Sequence, residues 1–202
     1  MTKKSIKNTI SLLLITVIAG LLLGVVYEIT KAPIAAGQQK AKEEACKIVF
    51  ASAASFEQVE IDEAQVENEL KKQGYDVTLN EVMQALDEKE EKIGYVLTVT
   101  DHEGYGGDIQ FTMGVQNDGT LNGISFLSIS ETAGLGMKAA EDEFKSQFEQ
   151  KKVEQFNYTK TGAVSNEEID AISGATITTN AVVNGVNAGL YYIHTLETEV
   201  EK

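Results

Sequence analysis

An apolar run near the amino terminus constrains the fold of this chain more than any other feature of its sequence. Residues 10–27 read ISLLLITVIAGLLLGVVY, 18 residues interrupted only by small polar residues and glycines. At 1.5 Å per residue such a run forms a helix of about 27 Å, close to the thickness of the hydrocarbon core of a bilayer. The run therefore predicts a transmembrane helix at residues 10–27, preceded by a short segment at residues 1–9.

A cleaved signal peptide is the alternative interpretation of the same run. The apolar region of a signal peptide usually has about 7–15 residues, and the nearest candidate cleavage site, Ala35-Ala36, lies far beyond the run. A retained anchor is therefore favoured. Three lysines and no acidic residue precede the run, so residues 1–9 are predicted in the cytoplasm and the bulk of the chain on the extracytoplasmic side of the cell membrane.

The charge of the remaining chain limits its partners. All 31 acidic residues but only 14 of the 17 lysines follow residue 27, and the chain has no arginine. This acidic surplus repels phosphate backbones, which excludes nucleic-acid binding. Without arginine, no guanidinium group can clamp the phosphate of a free nucleotide. The chain has a single cysteine, Cys46, so it cannot form an internal disulfide. Its two histidines are too few to predict a metal site.

Residues 28–73 are predicted to form a helical stalk or packing region. Pro33 suits a first helical position, and the stretch to Phe50 is rich in Ala, Gln, Lys and Glu. A second helix is expected at residues 61–72, and Gly74 ends it. Neither helix carries residues with an evident chemical role.

The pattern changes to strands in the predicted domain at residues 74–202. Alternating apolar residues and turn signals predict an antiparallel meander of about four strands, at residues 81–86, 93–100, 108–116 and 121–129. Residues 137–150 are predicted as a helix on which Phe144 and Phe148 stack, and residues 178–196 as an amphipathic helix. Strands followed by helices, without β-α-β alternation, indicate an α+β fold with an antiparallel sheet flanked by helices.

Three glycine-rich segments stand out from this pattern. They are Gly104-Tyr105-Gly106-Gly107, Glu131-Thr132-Ala133-Gly134-Leu135-Gly136, and the segment at residues 170–179. Each alone is weak evidence of function because glycine is common in turns. The presence of all three segments in one domain is what indicates a functional site.

The third segment places a threonine next to an almost bare backbone. Small residues precede Thr176, so a second protein could reach its hydroxyl group, and a helix begins within about two residues. A phosphate esterified to Thr176 would face the unpaired N–H groups and the positive end of that helix. Thr178 and Thr179 either add hydroxyl donors or cap the helix. The alternative is an ordinary capped helix after a small-residue turn.

These segments resemble those of the FMN-binding-domain subunits of bacterial respiratory complexes. The resemblance is closest to G subunits of Rnf complexes and more distant to C subunits of sodium-pumping NADH:quinone reductases, and it covers nearly the whole chain. The flavinylation motif of that family is Asp-x-x-Ser/Thr-Gly-Ala-Thr/Ser, which is matched by Asp170, Ser173, Gly174, Ala175 and Thr176. The resemblance implies that Thr176 carries FMN through a phosphoester. It also implies that a separate magnesium-dependent flavin transferase takes the FMN from FAD and recognises the other four residues.

The resemblance also implies which residues contact the flavin. The expected contacts are Glu131, Thr132, Gly134, Leu135, Gly136, Ser173, Gly174, Ala175, Thr178 and Thr179. The side chains of Glu131 and Thr132 hydrogen-bond either to the flavin or to the transferase, and both alternatives stay open. Leu135 and Met137 are expected to pack on the ring, while Tyr105 either stacks on it or is a core or turn tyrosine. Ala133 stands where the family loop usually has proline, which loosens the backbone but removes no functional group.

The expected function is an electron relay within a membrane complex. No Gly-x-Gly-x-x-Gly sequence opens a helix after a strand, so the chain is not expected to bind NADH itself. The resemblance implies a complex that couples ferredoxin:NAD+ electron transfer to ion translocation, with other membrane subunits as partners and no complete active site in this chain alone. Two alternatives stay open: a membrane-anchored flavoprotein of another extracytoplasmic electron-transfer pathway, and an anchored binding module without a redox role.

Overall fold

Four helices and seven strands make up the part of the chain that the computed structural model describes, which is residues 3–200, with side chains from residue 7 to residue 196. In chain order the helices and strands are α1 (Lys3–Val49), β1 (Ser55–Val59), α2 (Glu63–Lys72), β2 (Val77–Leu86), β3 (Lys92–Asp101), β4 (Ile109–Gln116), β5 (Leu121–Ser128), α3 (Asp142–Lys145), β6 (Asn157–Thr159), β7 (Glu168–Asp170) and α4 (Thr176–Val200). The contacts divide the chain into two units, Met1–Ala41 and Lys42–Lys202.

The first unit consists of the greater part of α1. This helix runs without a break from Lys3 to Val49, so the predicted anchor and the start of the predicted stalk form one helix. Pro33 lies inside it, which corrects the prediction of a helix start there. The strong helix formers around Pro33 outweigh the one backbone hydrogen bond that proline cannot donate. The large apolar side chains of residues 10–27 are exposed, and the helix is long and apolar enough to cross a membrane.

The second unit is built on a five-stranded antiparallel sheet with the order β1-β2-β3-β4-β5. Each strand pairs with the next along the chain, which confirms the predicted meander and the α+β fold. The additional strand, β1, was not predicted because its sequence, SFEQV, has only two large apolar residues and no clean alternation.

The compact unit begins at Lys42, so it includes residues that precede the predicted domain start at residue 74. β1 belongs to the sheet, and Val66 and Leu70 of α2 are buried in the main core. A second small core lies between the end of α1 and the outer face of the sheet, formed by Cys46, Val49, Phe50, Ala85 and Val96. Residues 42–73 therefore act as a packing layer of the domain.

The inner face of the sheet packs against α4. The apolar stripe predicted for this helix is buried throughout, at Val182, Val183, Val186, Leu190 and Ile193. It shares one core with the inward side chains of β3 and β4. α4 begins at Thr176, two residues earlier than predicted. The amino end of the helix therefore lies within the motif.

The segment predicted as one helix at residues 137–150 consists of three short pieces. A 3-10 turn (Gly136–Ala140) is followed by α3 and by a second 3-10 turn (Ser146–Phe148). The helix is interrupted at Glu141, whose φ of −77° and ψ of 151° are extended. The predicted aromatic contact is confirmed, since the rings of Phe144 and Phe148 lie 5.6 Å apart, edge to face. Both rings are buried in the main core of the domain.

A two-stranded parallel sheet leads into the carboxy-terminal motif. β6 pairs with β7 over three residues, and Asp170 is the last residue of β7. Residues 171–175 then connect β7 to α4. The motif thus joins a strand end to a helix start.

Candidate functional site

One cleft brings the three glycine-rich segments together. It has a volume of about 490 Å³ and lies at the amino end of α4. Its walls are Tyr105, Glu131, Thr132, Leu135, Gly136, Gly174, Ala175, Thr176 and Ile177. Segments that are far apart in the sequence therefore meet around Thr176.

Thr176 lies half-buried in the wall of the cleft as the first residue of α4. The first hydrogen bond along the helix runs from the N–H of Thr179 to the carbonyl oxygen of Ala175, at 3.0 Å. The N–H groups of residues 176–178 precede that bond and form the positive end of the helix dipole. A phosphate group attached to Thr176 would therefore lie where a helix favours an anion.

Thr178 and Thr179 are buried in the first turn of α4 and do not cap it. The Oγ1 atom of Thr179 donates to the carbonyl oxygen of Ala175 and accepts the N–H of Ile172, both at 3.0 Å. This hydroxyl group ties the connecting loop to the helix. The flavin contact expected of Thr179 stays a prediction, and the hydroxyl group already has both partners within the chain.

Glu131 is the buried carboxylate of the cleft, with only 8% of its surface exposed. Its Oε1 atom accepts the N–H of Gly106 at 3.2 Å, which links the second glycine-rich segment to the first. Its Oε2 atom is buried and has no hydrogen-bond partner among the described residues. A buried acceptor without a donor costs about 1–3 kcal/mol, and more when it is charged. The described residues therefore leave this buried oxygen without the donor that a carboxylate oxygen needs.

Gly136 lets this carboxylate pack directly against the backbone. A Cβ atom at residue 136 would lie 2.7 Å from Glu131 Oε2 and 2.7 Å from Thr178 Oγ1. Carbon atoms do not approach oxygen atoms so closely without a shift, so any side chain here would displace both polar groups. Gly174, on the opposite wall, has a left-handed φ of +79° that favours glycine.

Ala133 occupies a turn position that proline also fits. The N–H of Leu135 donates to the carbonyl oxygen of Thr132 at 3.1 Å, which closes a four-residue turn. Gly134 is the third residue of this turn and has a φ of +76°, as a type II turn requires. Ala133 is the second residue, where proline is common in such turns. The departure from the family pattern thus leaves the turn intact.

Exposed apolar side chains form the rim of the cleft. Tyr105 is 69% exposed, Leu135 43% and Ile177 53%. Tyr105 therefore lies at the rim and is not a core residue. Ile177 was not predicted, although an apolar residue off the buried stripe of α4 was a signal that could have found it. Gly134 and Met137, both predicted near the flavin, do not line the cleft.

Ser173 and Asp170 lie on the other side of the connecting loop. Both are exposed, and they line a smaller groove of about 190 Å³. Asp170 Oδ1 accepts the N–H of Ala163 at 2.6 Å, so this carboxylate is already engaged within the chain. The N–H of Ala171 donates to the carbonyl oxygen of Thr159 at 2.8 Å. The loop that carries the motif is therefore held from the side opposite the cleft.

A second buried carboxyl group supports the segment that carries Tyr105 and Gly106. Asp101 is fully buried at the end of β3, and its Oδ1 atom accepts the N–H of Glu103 at 2.8 Å. Its Oδ2 atom has no hydrogen-bond partner within the described part of the chain. Burial raises the pKa of Asp101 from its ordinary value to about 7.

Two family models match the chain: an FMN-binding domain at residues 104–191 and an RnfG N-terminal region at residues 1–47. The G subunit of an ion-translocating oxidoreductase complex from Methanosarcina acetivorans is 31% identical over 197 residues, which cover 97% of this chain and 98% of that protein. The chain belongs to this family of G subunits. The resemblance that the motifs indicated is thereby confirmed.

A second relative agrees with this family, and a solved structure shares the fold. The G subunit of the proton-translocating ferredoxin:NAD(+) oxidoreductase complex from Clostridium ljungdahlii is 30% identical over 178 residues, which cover 88% of this chain and 85% of that protein. The crystal structure of the C subunit of the Na(+)-translocating NADH-quinone reductase from Parabacteroides distasonis has a TM-score of 0.50 and 17% identity, and the match covers 75% of this chain and 92% of that chain. This structural likeness supports the fold.

Proposed function

We propose that this chain carries FMN on Thr176 through a phosphoester and relays electrons within an ion-translocating ferredoxin:NAD+ oxidoreductase complex. The observation that carries the proposal is the convergence of three glycine-rich segments on one cleft at Thr176. The family supports the assignment to a complex, because its members in Methanosarcina acetivorans and Clostridium ljungdahlii are named as subunits of such complexes.

The residues of the cleft fit FMN. Thr176 supplies a hydroxyl group for the ester, and the start of α4 supplies N–H groups for the phosphate. Glu131 Oε2 is a free acceptor for the donors that FMN carries, which are the ribityl hydroxyl groups and the N3–H of the ring. Leu135 and Tyr105 at the rim can shield the ring from water. The bound flavin would supply the redox chemistry, and the chain would supply attachment and shielding.

Attachment of the flavin is a phosphoryl transfer that a separate magnesium-dependent transferase performs. The hydroxyl oxygen of Thr176 forms a bond to the FMN phosphorus of FAD, and the bond between that phosphorus and the bridging oxygen of the pyrophosphate breaks. AMP leaves with the bridging oxygen, and the hydroxyl proton is released. The exposed Ser173 and Gly174 leave room for the transferase to reach this hydroxyl group.

A covalent bond suits a flavin that works outside the cytoplasm. The cytoplasmic pool cannot replace a flavin lost there, and a covalent link keeps the local concentration high without high affinity. The chain has no arginine to bind the phosphate by a bidentate ion pair. The ester takes over that function.

The topology proposed from the charge pattern completes this account. Residues 1–9 lie in the cytoplasm, residues 10–27 cross the membrane, and the domain lies outside it. Its partners are the other membrane subunits of the complex and, during maturation, the flavin transferase.

Co-expression with and without a flavin transferase tests the proposed function. With the transferase, the chain should gain the mass of FMN less one water molecule and should fluoresce in a denaturing gel. Thr176→Val should abolish both signals, because valine has the same shape without the hydroxyl group. Thr78→Val, which removes a hydroxyl group on the outer face of the sheet, is the matched control and should keep both.

The outcomes separate the candidate functions. Covalent fluorescence that survives in Thr176→Val contradicts the attachment site. A wild-type chain that stays unmodified beside an active transferase favours the anchored binding module. A flavinylated chain that copurifies with none of the other membrane proteins of such a complex favours a separate electron-transfer pathway.

A further inference from the structure

β7 reaches the motif with both of its edges occupied. On one edge it pairs with β6. On the other edge lies the side chain of Gln147, whose Oε1 atom accepts the N–H of Asp170 at 2.6 Å and whose Nε2 atom donates to the carbonyl oxygen of Asp170 at 3.4 Å. The amide group of Gln147 thus takes the place of a neighbouring strand at the last residue before the loop to Thr176.

Gln147 projects from a well-anchored segment. Phe148, its neighbour in the chain, is fully buried, and the ring of Phe148 contacts those of Phe144 at 5.6 Å and Phe156 at 5.3 Å. These edge-to-face contacts fix the backbone from which Gln147 extends. The amide group of Gln147 therefore reaches Asp170 from a backbone segment that is fixed by these ring contacts.

The chain uses the same arrangement a second time, within its core. Asn187 Oδ1 accepts the N–H of Phe156 at 2.8 Å, and Asn187 Nδ2 donates to the carbonyl oxygen of Phe156 at 2.9 Å. Asn187 is buried in α4, and this pair holds the segment before β6. Side-chain amides that satisfy both backbone groups of one residue therefore fix the small sheet where β6 begins and where β7 ends.

The loop beyond Asp170 is tied at three further points. The N–H of Ala171 donates to the carbonyl oxygen of Thr159, the N–H of Ile172 donates to Thr179 Oγ1, and the N–H of Ala175 donates to the carbonyl oxygen of Ile172 at 2.9 Å. Ser173 and Gly174 remain exposed between these points. The bond to Gln147 is the first in this series and sets the direction in which the loop leaves β7.

We infer that Gln147 is a positioning residue for flavin attachment. It holds the backbone of Asp170 so that the loop presents the Thr176 hydroxyl group to the flavin transferase, and it does not touch FAD itself. The inference rests on the proposed attachment of FMN to Thr176. Without this contact the loop must be ordered when the transferase binds, and that entropy cost lowers the rate of transfer.

Transfer kinetics with the full-length chain test the inference. Purified chain in detergent is mixed with a bacterial flavin transferase, FAD and Mg²⁺, and the covalent flavin is followed by fluorescence in a denaturing gel. Gln147→Leu, which loses both hydrogen bonds, should lower kcat/KM for the chain by about tenfold. Gln147→Glu keeps the acceptor of the 2.6 Å bond and should stay within about threefold of the wild type.

Two more variants separate positioning from loss of stability. Gln110→Leu removes an amide group that donates to Thr100 Oγ1 at 2.9 Å and to Asn80 Oδ1 at 3.2 Å on the outer face of the sheet, and it should keep the wild-type rate. Gln147→Asn keeps the amide group on a side chain one methylene shorter, which cannot span to Asp170. It should be slow at an unchanged Tm, and it carries the test if Gln147→Leu does not fold.

The failure of this inference differs from the failure of the proposed function. A wild-type rate in Gln147→Leu or Gln147→Asn overturns the role of Gln147, and so does a Gln147→Glu variant as slow as Gln147→Leu. A wild-type chain that takes up no FMN, or takes it up at a residue other than Thr176, overturns the proposed function instead.

Discussion

Two clefts of the domain differ in how their polar groups are satisfied. The flavin cleft at Thr176 contains a buried carboxylate oxygen without a partner among the described residues and has apolar side chains at its rim. The second cleft, called here the polar groove, has a volume of about 350 Å³ on the outer face of the sheet. Its lining residues are Thr78, Asn80, Thr100, His102, Asp108, Gln110 and Ser128.

Six of the seven residues that line the polar groove bond to one another through their side chains. Thr100 Oγ1 donates to Asn80 Oδ1 at 2.6 Å and accepts from Gln110 Nε2 at 2.9 Å. The ring of His102 lies between Thr78 Oγ1 at 2.9 Å and Asp108 Oδ1 at 3.0 Å. A cleft whose polar groups are paired gains little from a ligand, whereas the proposed flavin could pair the free oxygen of Glu131. Buried oxygen atoms without a partner in the described part of the chain also occur elsewhere, at Asp101 for example, so the flavin cleft is distinguished by having such an oxygen in the same wall as Thr176.

Among the variants that test this difference between the clefts, Gly136→Ala is expected to have the largest effect on flavin attachment. The new Cβ atom would displace Glu131 Oε2 and Thr178 Oγ1. Covalent FMN after a fixed reaction time with the transferase should fall about tenfold or more, and the free energy of unfolding by about 1–3 kcal/mol. Absorbance of the purified chain and thermal unfolding measure the two effects.

Gly134→Ala is the matched control for that variant. The space around Gly134 is open, so only the left-handed φ of +76° opposes a side chain, at about 1–2 kcal/mol. FMN uptake should stay close to the wild type. Equal FMN uptake by Gly136→Ala and the wild type would contradict the account of the cleft.

A smaller effect is expected from changes at Asp170, outside both clefts. Asp170→Ala removes the acceptor of the Ala163 N–H and should slow flavin transfer by about tenfold. Asp170→Asn keeps an oxygen acceptor at the same position and should transfer at close to the wild-type rate. If Asp170→Asn is as slow as Asp170→Ala, the transferase reads the charge of Asp170 directly, and the internal role described for this carboxylate is wrong.

A modest effect is expected from Glu131→Gln. The amide oxygen can still accept the N–H of Gly106, but an NH₂ group replaces the free acceptor. The chain should remain covalently flavinylated, with a flavin that is more accessible to an iodide quencher. Loss of the negative charge should also raise the midpoint potential by on the order of 30 mV, which is about 1.4 kcal/mol for two electrons. Unchanged quenching and potential would show that Oε2 does not contact the flavin.

The smallest effect on the flavin is expected from Asp101→Asn, which acts on stability. Below about pH 4 the carboxyl group of Asp101 is protonated in both states. Between about pH 4 and its raised pKa of about 7 it is ionised only in the unfolded chain, so stability falls as the pH rises. The total loss is at most about 4 kcal/mol.

Asn at residue 101 keeps an acceptor for the N–H of Glu103 and does not titrate. The variant should therefore show a flatter dependence of Tm on pH between 4 and 7, with unchanged FMN uptake. A wild-type chain whose stability does not depend on the state of Asp101 would give superimposable pH profiles for both proteins.

The strongest sequence signals predicted their elements well. The apolar stripe of α4, which includes Val186 and Leu190, and the alternation of β3 and β4 follow from single periodicities, and both are confirmed. The three glycine-rich segments are each visible in the sequence, although their meeting at one cleft is not. Patterns that depend on one element alone are readable from the sequence.

Features that depend on tertiary contacts were not predictable. The break at Glu141 has no signal in the sequence, although Phe144 and Phe148 beyond it are both buried in the domain core. The hydrogen bond that Glu131 Oε1 accepts comes from Gly106, 25 residues away in the chain, and the sequence does not show this contact. The bond between Gln147 and Asp170 has no local signature, since a glutamine in a short polar segment is ordinary. Each of these three features becomes visible only in the folded domain.

Peptide mapping of the flavinylated chain tests the central claim most directly. No lysine lies between Lys160 and Lys202, so trypsin releases the whole motif as one peptide of residues 161–202. Tandem mass spectrometry should place the mass of FMN less one water molecule on Thr176. The same mass on Ser173 or on another hydroxyl group of this peptide, or a flavin that leaves when the chain is denatured, would contradict the account.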